Sequence, residues 1–186
     1  MPARIIGIAG SLRQGSYNAA LLRAAASLAP PEVPIEIASI REIPLYDGDV
    51  ETQAFPPAVA ALKDRIAAAD GLLLVSPEYN QSIPGVAKNA IDWLSRPPRD
   101  IARVFRDKPV GLIGATPGRG GTRMSQVAWL PVFRSLGLRP WYGRELYVAD
   151  AGKVFDAGGA LVDETVERLL GEYVKGYCDY VVSQRR

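Results

Sequence analysis

RIIGIAGSLRQGSYN, residues 4–18, begins as an apolar run and ends as a cluster of hydrogen-bond donors. The first part, Arg4–Ala9, is a near-continuous apolar block rather than an alternation. That pattern suits a strand buried on both faces, as in a parallel sheet. The second part, Gly10–Asn18, carries Ser11, Arg13, Ser16 and Asn18, with glycines at 10 and 15. A buried strand running straight into such a turn places many donors at one end of a sheet.

Two further runs of the same kind follow, GLLLVS at 71–76 and PVGLIGA at 109–115. Ile35–Ala38 reads as a weaker strand, and a last one is expected around Trp141–Val148. Helical patterns lie between them. Residues 18–28 are rich in Ala and Leu, and residues 55–70 bring Val59, Leu62, Ile66 and Ala69 to one face behind a Pro pair suited to a first turn. Residues 84–94 carry Val86, Ala90, Ile91 and Leu94. Residues 121–136 are helical but contain Pro131, which is expected to kink or split the helix. Over 160–182 an apolar stripe runs from Leu161 through Val162, Thr165, Val166, Leu169, Leu170, Tyr173 and Val174 to Tyr177. Alternating strands and helices predict an α/β fold, a single doubly wound domain over 1–186. Five strands at this length fit a parallel sheet of flavodoxin-like order 2-1-3-4-5 with helices on both faces.

Composition narrows the chemistry. The chain has 186 residues, enough for one full-sized core, and a net charge of +2. This mild excess favours anionic ligands without arguing for nucleic acid or a membrane surface. No histidine is present, so the usual zinc sites and every Ser-His or Cys-His nucleophile are excluded, and no metal site is expected. Cys178 is the only cysteine, which precludes an internal disulfide; its place in the last helical pattern reads as packing. The opening residues do not form a signal peptide, and nothing approaches the roughly 18 apolar residues of a membrane span. A cytoplasmic protein is the expectation. Any difficult chemistry then falls to a cofactor.

In doubly wound sheets, ligands bind beyond the carboxyl ends of the strands at the switch point. The loops after the first, third and fourth strands should therefore be unusual. They read GSLRQGSYN, PEYNQSIPG and TPGRGGTR. In the first, a helix N-terminus with Ser11, Arg13, Ser16 and Asn18 is suited to hold a phosphate, although a lone Ser or Asn there also serves as a helix cap. The P-loop and G-x-G-x-x-G signatures are absent, which disfavours ATP and a Rossmann-type dinucleotide. In the second, Pro77 stiffens the turn, Tyr79 offers a ring to a flat ligand, and Asn80 can bond polar ring edges. Glu78 reads as an outward carboxylate or a capping partner rather than a proton donor. The third is glycine-dense, so that backbone can approach a ligand closely. Arg119 and Arg123 stand there as candidate partners of a second phosphate.

With these loops the chain resembles the NAD(P)H-dependent FMN reductases, which include bacterial quinone and chromate reductases. The resemblance rests on G-S-L-R-x-x-S-x-N at Gly10–Asn18, I-P-L-Y-D at Ile43–Asp47, P-E-Y-N at Pro77–Asn80, and S-x-P-G-x-x-K-N-A-I-D-W at Ser82–Trp93. It implies a flavodoxin-like fold with noncovalent FMN. Ser11, Arg13, Ser16, Tyr17 and Asn18 would hold the phosphate. Pro77, Glu78, Tyr79 and Asn80 would line the isoalloxazine, with Ser82 near the ring edge and Thr116 and Gly118 contributing from the third loop. Thr116-Pro117 departs from the small polar residues common in relatives. The implied activity is hydride transfer from NADPH or NADH through FMN, in ping-pong fashion, to a quinone, free flavin or similar small-molecule acceptor. No side chain is required as a catalytic acid, and Tyr79 is placed at the acceptor face. A homodimer or homotetramer is implied, with Lys88, Trp93 and Leu94 as interface candidates. The competing reading is a non-enzymatic flavodoxin-type electron carrier; against it, the phosphate loop uses Ser, Arg and Asn and the chain is not acidic.

Overall fold

A computed structural model describes residues 2–185. Strands β1 (Ile5–Ala9), β2 (Ile35–Ala38), β3 (Gly71–Val75) and β4 (Pro109–Ala115) are all parallel, in the order β2-β1-β3-β4. Register runs Ile5 with Ile35 and Gly71, and Leu72 with Val110. Side chains alternate between two apolar layers. Ile5, Leu73 and Val75 face one cluster, with Ala20 and Leu21 of α1 (Tyr17–Leu28) and Tyr173 and Tyr177 of α8 (Glu164–Ser183). Ile6, Ile8, Leu72 and Leu74 face the other, with α3 (Pro57–Ala67), α4 (Gly85–Leu94) and α6 (Arg123–Leu136). The run of apolar residues is explained by this burial on both faces. The flavodoxin-like order and the helices on both faces are those expected.

The last strand is not the single stretch expected at Trp141–Val148. It is two short pieces, β5 (Arg139–Pro140) and β6 (Tyr147–Val148), both parallel to β4. Trp141 still donates its backbone N–H to the Val110 carbonyl of β4 at 2.9 Å, and strand pairing lapses only over 142–146; its side chain packs onto α8. Its ring meets Tyr173 edge-on at 4.9 Å, and it lies so close to Gly176 that a Cβ there would fall 2.7 Å from it. The β4 ladder is completed from the helix instead: the Tyr173 hydroxyl accepts the Leu112 N–H at 2.8 Å.

Pro131 does not divide α6, which runs unbroken from Arg123 to Leu136. Pro131 lies on the exposed face, where the carbonyl that loses its donor can turn to water. Three short helices lacked a periodic signal: α2 (Gly48–Gln53), α5 (Ile101–Val104) and α7 (Ala151–Val154). Six and four residues are too few to show periodicity. Leu161 and Val162, placed on the last helical stripe, precede α8, and Val162 is exposed.

Candidate functional site

β1 and β3 lie side by side at the switch point, and their carboxyl ends open into a cleft of about 480 Å³. Ser11, Arg13, Ser16, Tyr17 and Asn18 form one wall, Pro77, Glu78 and Tyr79 the second, and Ala115, Thr116 and Pro117 the third. Three loops distant in sequence thus meet as the reading predicted. The volume lies within the range of small-ligand and cofactor sites.

Two residues of the first wall have structural duties of their own. Ser16 is the N-cap of α1, and its Oγ accepts the Ala19 N–H at 3.3 Å; its hydroxyl proton remains to be donated. Asn18 is 3 % exposed. Its Oδ1 accepts the Ala115 N–H at 2.9 Å, and its Nδ2 donates to the Ala115 carbonyl at 2.8 Å. Asn18 therefore ties the start of α1 to the end of β4, and one of its two amide protons remains. The N–H groups of Tyr17 and Asn18 belong to the first turn and have no partner inside the helix. They and the dipole of α1 make an anion site. Arg13 stands at the mouth with its guanidinium carbon 5.4 Å from the centre of the Tyr17 ring. The other side of that wall is stiffened by Phe155, stacked on Tyr17 at 6.0 Å.

The second wall is a tight hairpin. The Tyr79 and Ser82 N–H groups donate to each other's carbonyls at 3.2 and 3.1 Å. Asn80 and Gln81 between them both have positive φ, 51° and 58°. Such a turn favours Asn and Gly at these positions, so Asn80 fits and Gln81 is strained. Asn80, Gln81 and Ser82 are exposed on the hairpin. Tyr79 is 47 % exposed, and its hydroxyl lies 3.3 Å from Ser11 Oγ. The hairpin therefore presents the tyrosine to the cleft with its hydroxyl beside Ser11 of the first loop.

Of the two readings of Glu78, outward carboxylate and capping partner, the structure shows the second. Glu78 Oε2 accepts the backbone N–H groups of Met124 at 2.8 Å and Ser125 at 3.1 Å. Thr122, which precedes α6, supplies no side-chain cap. Behind the hairpin is a buried network that sequence reasoning missed. Ser76 Oγ accepts from Trp129 Nε1 at 2.9 Å, lies 3.1 Å from Ser125 Oγ, and donates to the Pro77 carbonyl at 3.1 Å. Serine after an apolar strand was the only signal for it.

The third loop is rooted on β6 and α7. The Thr116 N–H donates to Val148 O at 2.9 Å, and Ala151 and Asp150 N–H donate to the Thr116 and Gly118 carbonyls, each at 3.0 Å. The Gly118 N–H reaches Thr116 Oγ1 at 3.3 Å. Gly121 has φ of 62°, and a Cβ there would stand 2.7 Å from that of Tyr147, so this position admits only glycine. Arg123 lies over Tyr147 at 4.8 Å.

Of the proposed interface residues, Trp93 and Leu94 are fully buried in their own chain. Trp93 packs against Tyr46 and Phe55 and donates from Nε1 to the Pro44 carbonyl at 2.9 Å. Its pattern in the N-A-I-D-W helix reflects the core rather than a subunit contact. Lys88 pairs with Asp92 on the half-exposed side of α4. Cys178 is buried, with its thiol pushed up to about 11 by loss of hydration. Among the described residues no cluster of acids or cysteine suits a metal ion, and no helix is long and apolar enough to cross a membrane.

The sequence profile of the NADPH-dependent FMN reductases matches residues 3–152, which hold all three walls of the cleft. The chain belongs to this family. Similar members include an NAD(P)H-dependent FMN reductase of Pseudomonas aeruginosa, 44 % identical over 172 residues, 92 % of this chain and 91 % of the relative. A 2-hydroxy-1,4-benzoquinone reductase of a Burkholderia species is 38 % identical over 185 residues, spanning both chains in full. Among solved structures, a flavoenzyme NAD(P)H:(acceptor) oxidoreductase of Paracoccus denitrificans superposes with a TM-score of 0.88 at 31 % identity, covering 98 % of each chain. FMN and NAD(P)H are the cofactors of this FMN reductase family, and its named members are oxidoreductases.

Proposed function

We propose that this family member is an FMN-dependent NAD(P)H oxidoreductase built as one flavodoxin-like FMN-binding domain over 1–186, which reduces quinones, free flavin or a similar flat acceptor. The observation that carries the reading is the convergence of an anion site and a ring platform in one cleft. The first turn of α1, with Ser11, Arg13, Ser16 and Tyr17, holds the phosphate of FMN. Pro77, Tyr79 and Asn80, largely through backbone, face its ring, and the Ser82 and Thr116–Gly118 segments border it. Asn18 and Glu78 act chiefly by positioning, since their side chains are committed to Ala115 and to the start of α6. When bound, FMN would supply the redox chemistry between reduced nicotinamide and the acceptor, a hydride in and two electrons out, with the acceptor's remaining proton drawn from solvent and the two substrates taking turns at the cleft.

What the chain itself supplies is binding, orientation and dipoles. Arg13 and the helix N-terminus neutralise the phosphate. The tight Tyr79–Ser82 hairpin would orient a bound flat ring for a flat partner, the chain's contribution being proximity and alignment. Glu78, the one acid among the described residues lining the cleft, holds its Oε2 on the backbone N–H groups of Met124 and Ser125 and so acts by positioning.

A homodimer or homotetramer is supported by the exposed apolar residues Met124, Val127 and Leu130 on α6 and Tyr142 nearby, a face suited to a second copy. A cytoplasmic location is part of the same proposal.

The test is an anaerobic absorbance titration. Purified protein with FMN should show a bound-flavin band that NADPH bleaches and a quinone restores. A bound flavin that NADPH leaves oxidised would indicate an electron carrier. In Arg13→Ala, loss of one charge-assisted contact, worth about 1.5–3 kcal/mol, should weaken FMN retention on dialysis at least tenfold while the fold persists. Full retention would sink the phosphate assignment.

A further inference from the structure

The first and third loops, 10–18 and 116–123, carry three arginines, and two are engaged with aromatic rings: Arg13 with Tyr17 and Arg123 with Tyr147. Arg119 differs. It is exposed at the tip of the third loop, and among the described residues no hydrogen bond, ion pair or ring contact involves its guanidinium. The root beneath it is fixed by four hydrogen bonds at Thr116 and Gly118. Asp150 joins that root only through its backbone N–H, and no ion pair links its carboxylate to Arg119. The tip itself is low. A Cβ at Gly120 would meet nothing within 4 Å, and one at Gly118 nothing nearer than Thr116 Oγ1 at 3.8 Å.

A dinucleotide whose nicotinamide lies against the ring must carry its adenosine end out over one wall. The first wall is occupied by Arg13 and the phosphate site. The second is closed by the Tyr79–Ser82 hairpin with its exposed side chains. The third has no side chain at the exposed positions 118 and 120, so a ligand backbone passes over them at close range. We propose that the adenosine end of the reductant leaves over this third loop, and that Arg119 reads the 2′-phosphate distinguishing NADPH from NADH. A guanidinium that has no internal partner is available to form the paired hydrogen bonds a phosphate accepts. Arg119 is thereby a specificity-determining residue and NADPH the preferred reductant. The inference rests on the flavin-reductase reading above.

The experiment compares wild type, Arg119→Ala, Arg119→Lys and Arg123→Ala, each loaded with FMN. The ratio of kcat/KM for NADPH to that for NADH should fall about tenfold in Arg119→Ala, recover in part in Arg119→Lys, and stay at the wild-type value in Arg123→Ala. Calorimetric titration with adenosine 2′,5′-bisphosphate and with 5′-AMP gives a second readout, free of turnover. The bisphosphate should bind about tenfold more tightly than 5′-AMP to wild type and equally to Arg119→Ala. An unchanged ratio in Arg119→Ala, equal binding of both nucleotides to wild type, or collapse of the ratio in Arg123→Ala instead would each overturn the assignment. Failure of the protein to take up FMN appears in the spectrum before any nucleotide is added, and it overturns the reductase reading together with this one.

Discussion

The carboxylate of Glu78 accepts the backbone N–H of Met124 at 2.8 Å. The loop after β3 thus caps the helix that follows the loop after β4, and two walls of the cleft are locked to each other. An N-terminal cap is worth about 1 kcal/mol, and in a chain of this size 1 kcal/mol moves Tm by roughly 2–4 °C. Glu78→Ala should therefore lower Tm by that amount and raise KM for the nicotinamide substrate, because the third loop loses its fixed distance from the hairpin. Glu78→Gln, which keeps an acceptor oxygen, should recover most of both. Differential scanning fluorimetry and steady-state kinetics decide it; unchanged KM in Glu78→Ala would reduce Glu78 to a fold-stabilising cap.

Tyr79 and Ser11 touch across the cleft through their hydroxyls. Exposed as it is, Tyr79 contributes little to the core, so Tyr79→Ala should shift Tm by less than about 2 °C, within the small range of surface substitutions. Turnover with a quinone should fall several-fold, since the ring borders the acceptor position. Tyr79→Phe should keep turnover near wild type. If Tyr79→Ala keeps wild-type kinetics, the ring has no part in placing the acceptor.

Gln81 occupies the left-handed region at φ 58°, where a Cβ costs about 1 kcal/mol and glycine carries no such penalty. Gln81→Gly should stabilise the chain by about 0.5 kcal/mol net of the added flexibility of the unfolded state. A urea titration reads this as a higher midpoint at constant slope. Destabilisation would mean that the Gln81 side chain holds the hairpin.

Burial holds the Cys178 thiol protonated in the native state, with its pKa moved from 9.0 up to about 11. The thiolate is the reactive species, so Ellman's reagent at pH 8 should leave the folded protein unlabelled and titrate one thiol after denaturation. The linkage has a definite sign. The folded pKa is the higher one, so stability drawn from the neutral thiol is complete below pH 9 and declines as pH rises towards 11. Rapid labelling of native protein would contradict the burial.

Period and composition were enough to place β1 to β4 and the long helices, because burial on both faces writes an apolar run and burial on one face writes a helical stripe. The three loops were legible for a related reason. Chemistry beyond the strand ends needs Ser, Arg, Asn and Gly where packing needs none of them, so GSLRQGSYN stands out against RIIGIA. Ser11, Arg13, Ser16, Tyr17 and Asn18 of that stretch meet Tyr79 in one cleft.

What the tertiary structure alone decided is where each polar side chain turns. Asn18 in sequence is a donor at a helix start; folded, it binds the Ala115 backbone 97 residues away. Trp93 reads as a motif residue and proves to be core, and Trp141, read as the start of a last strand, keeps its backbone on β4 while its ring packs on Tyr173 of α8. Each outcome hangs on a partner distant along the chain. Sequence by itself determined which segments are buried and which carry donors, since those follow from local composition and period. Only the packed fold determined which donors are consumed by the protein and which stay available to a ligand, since a hydrogen bond is settled by distances that local sequence does not encode.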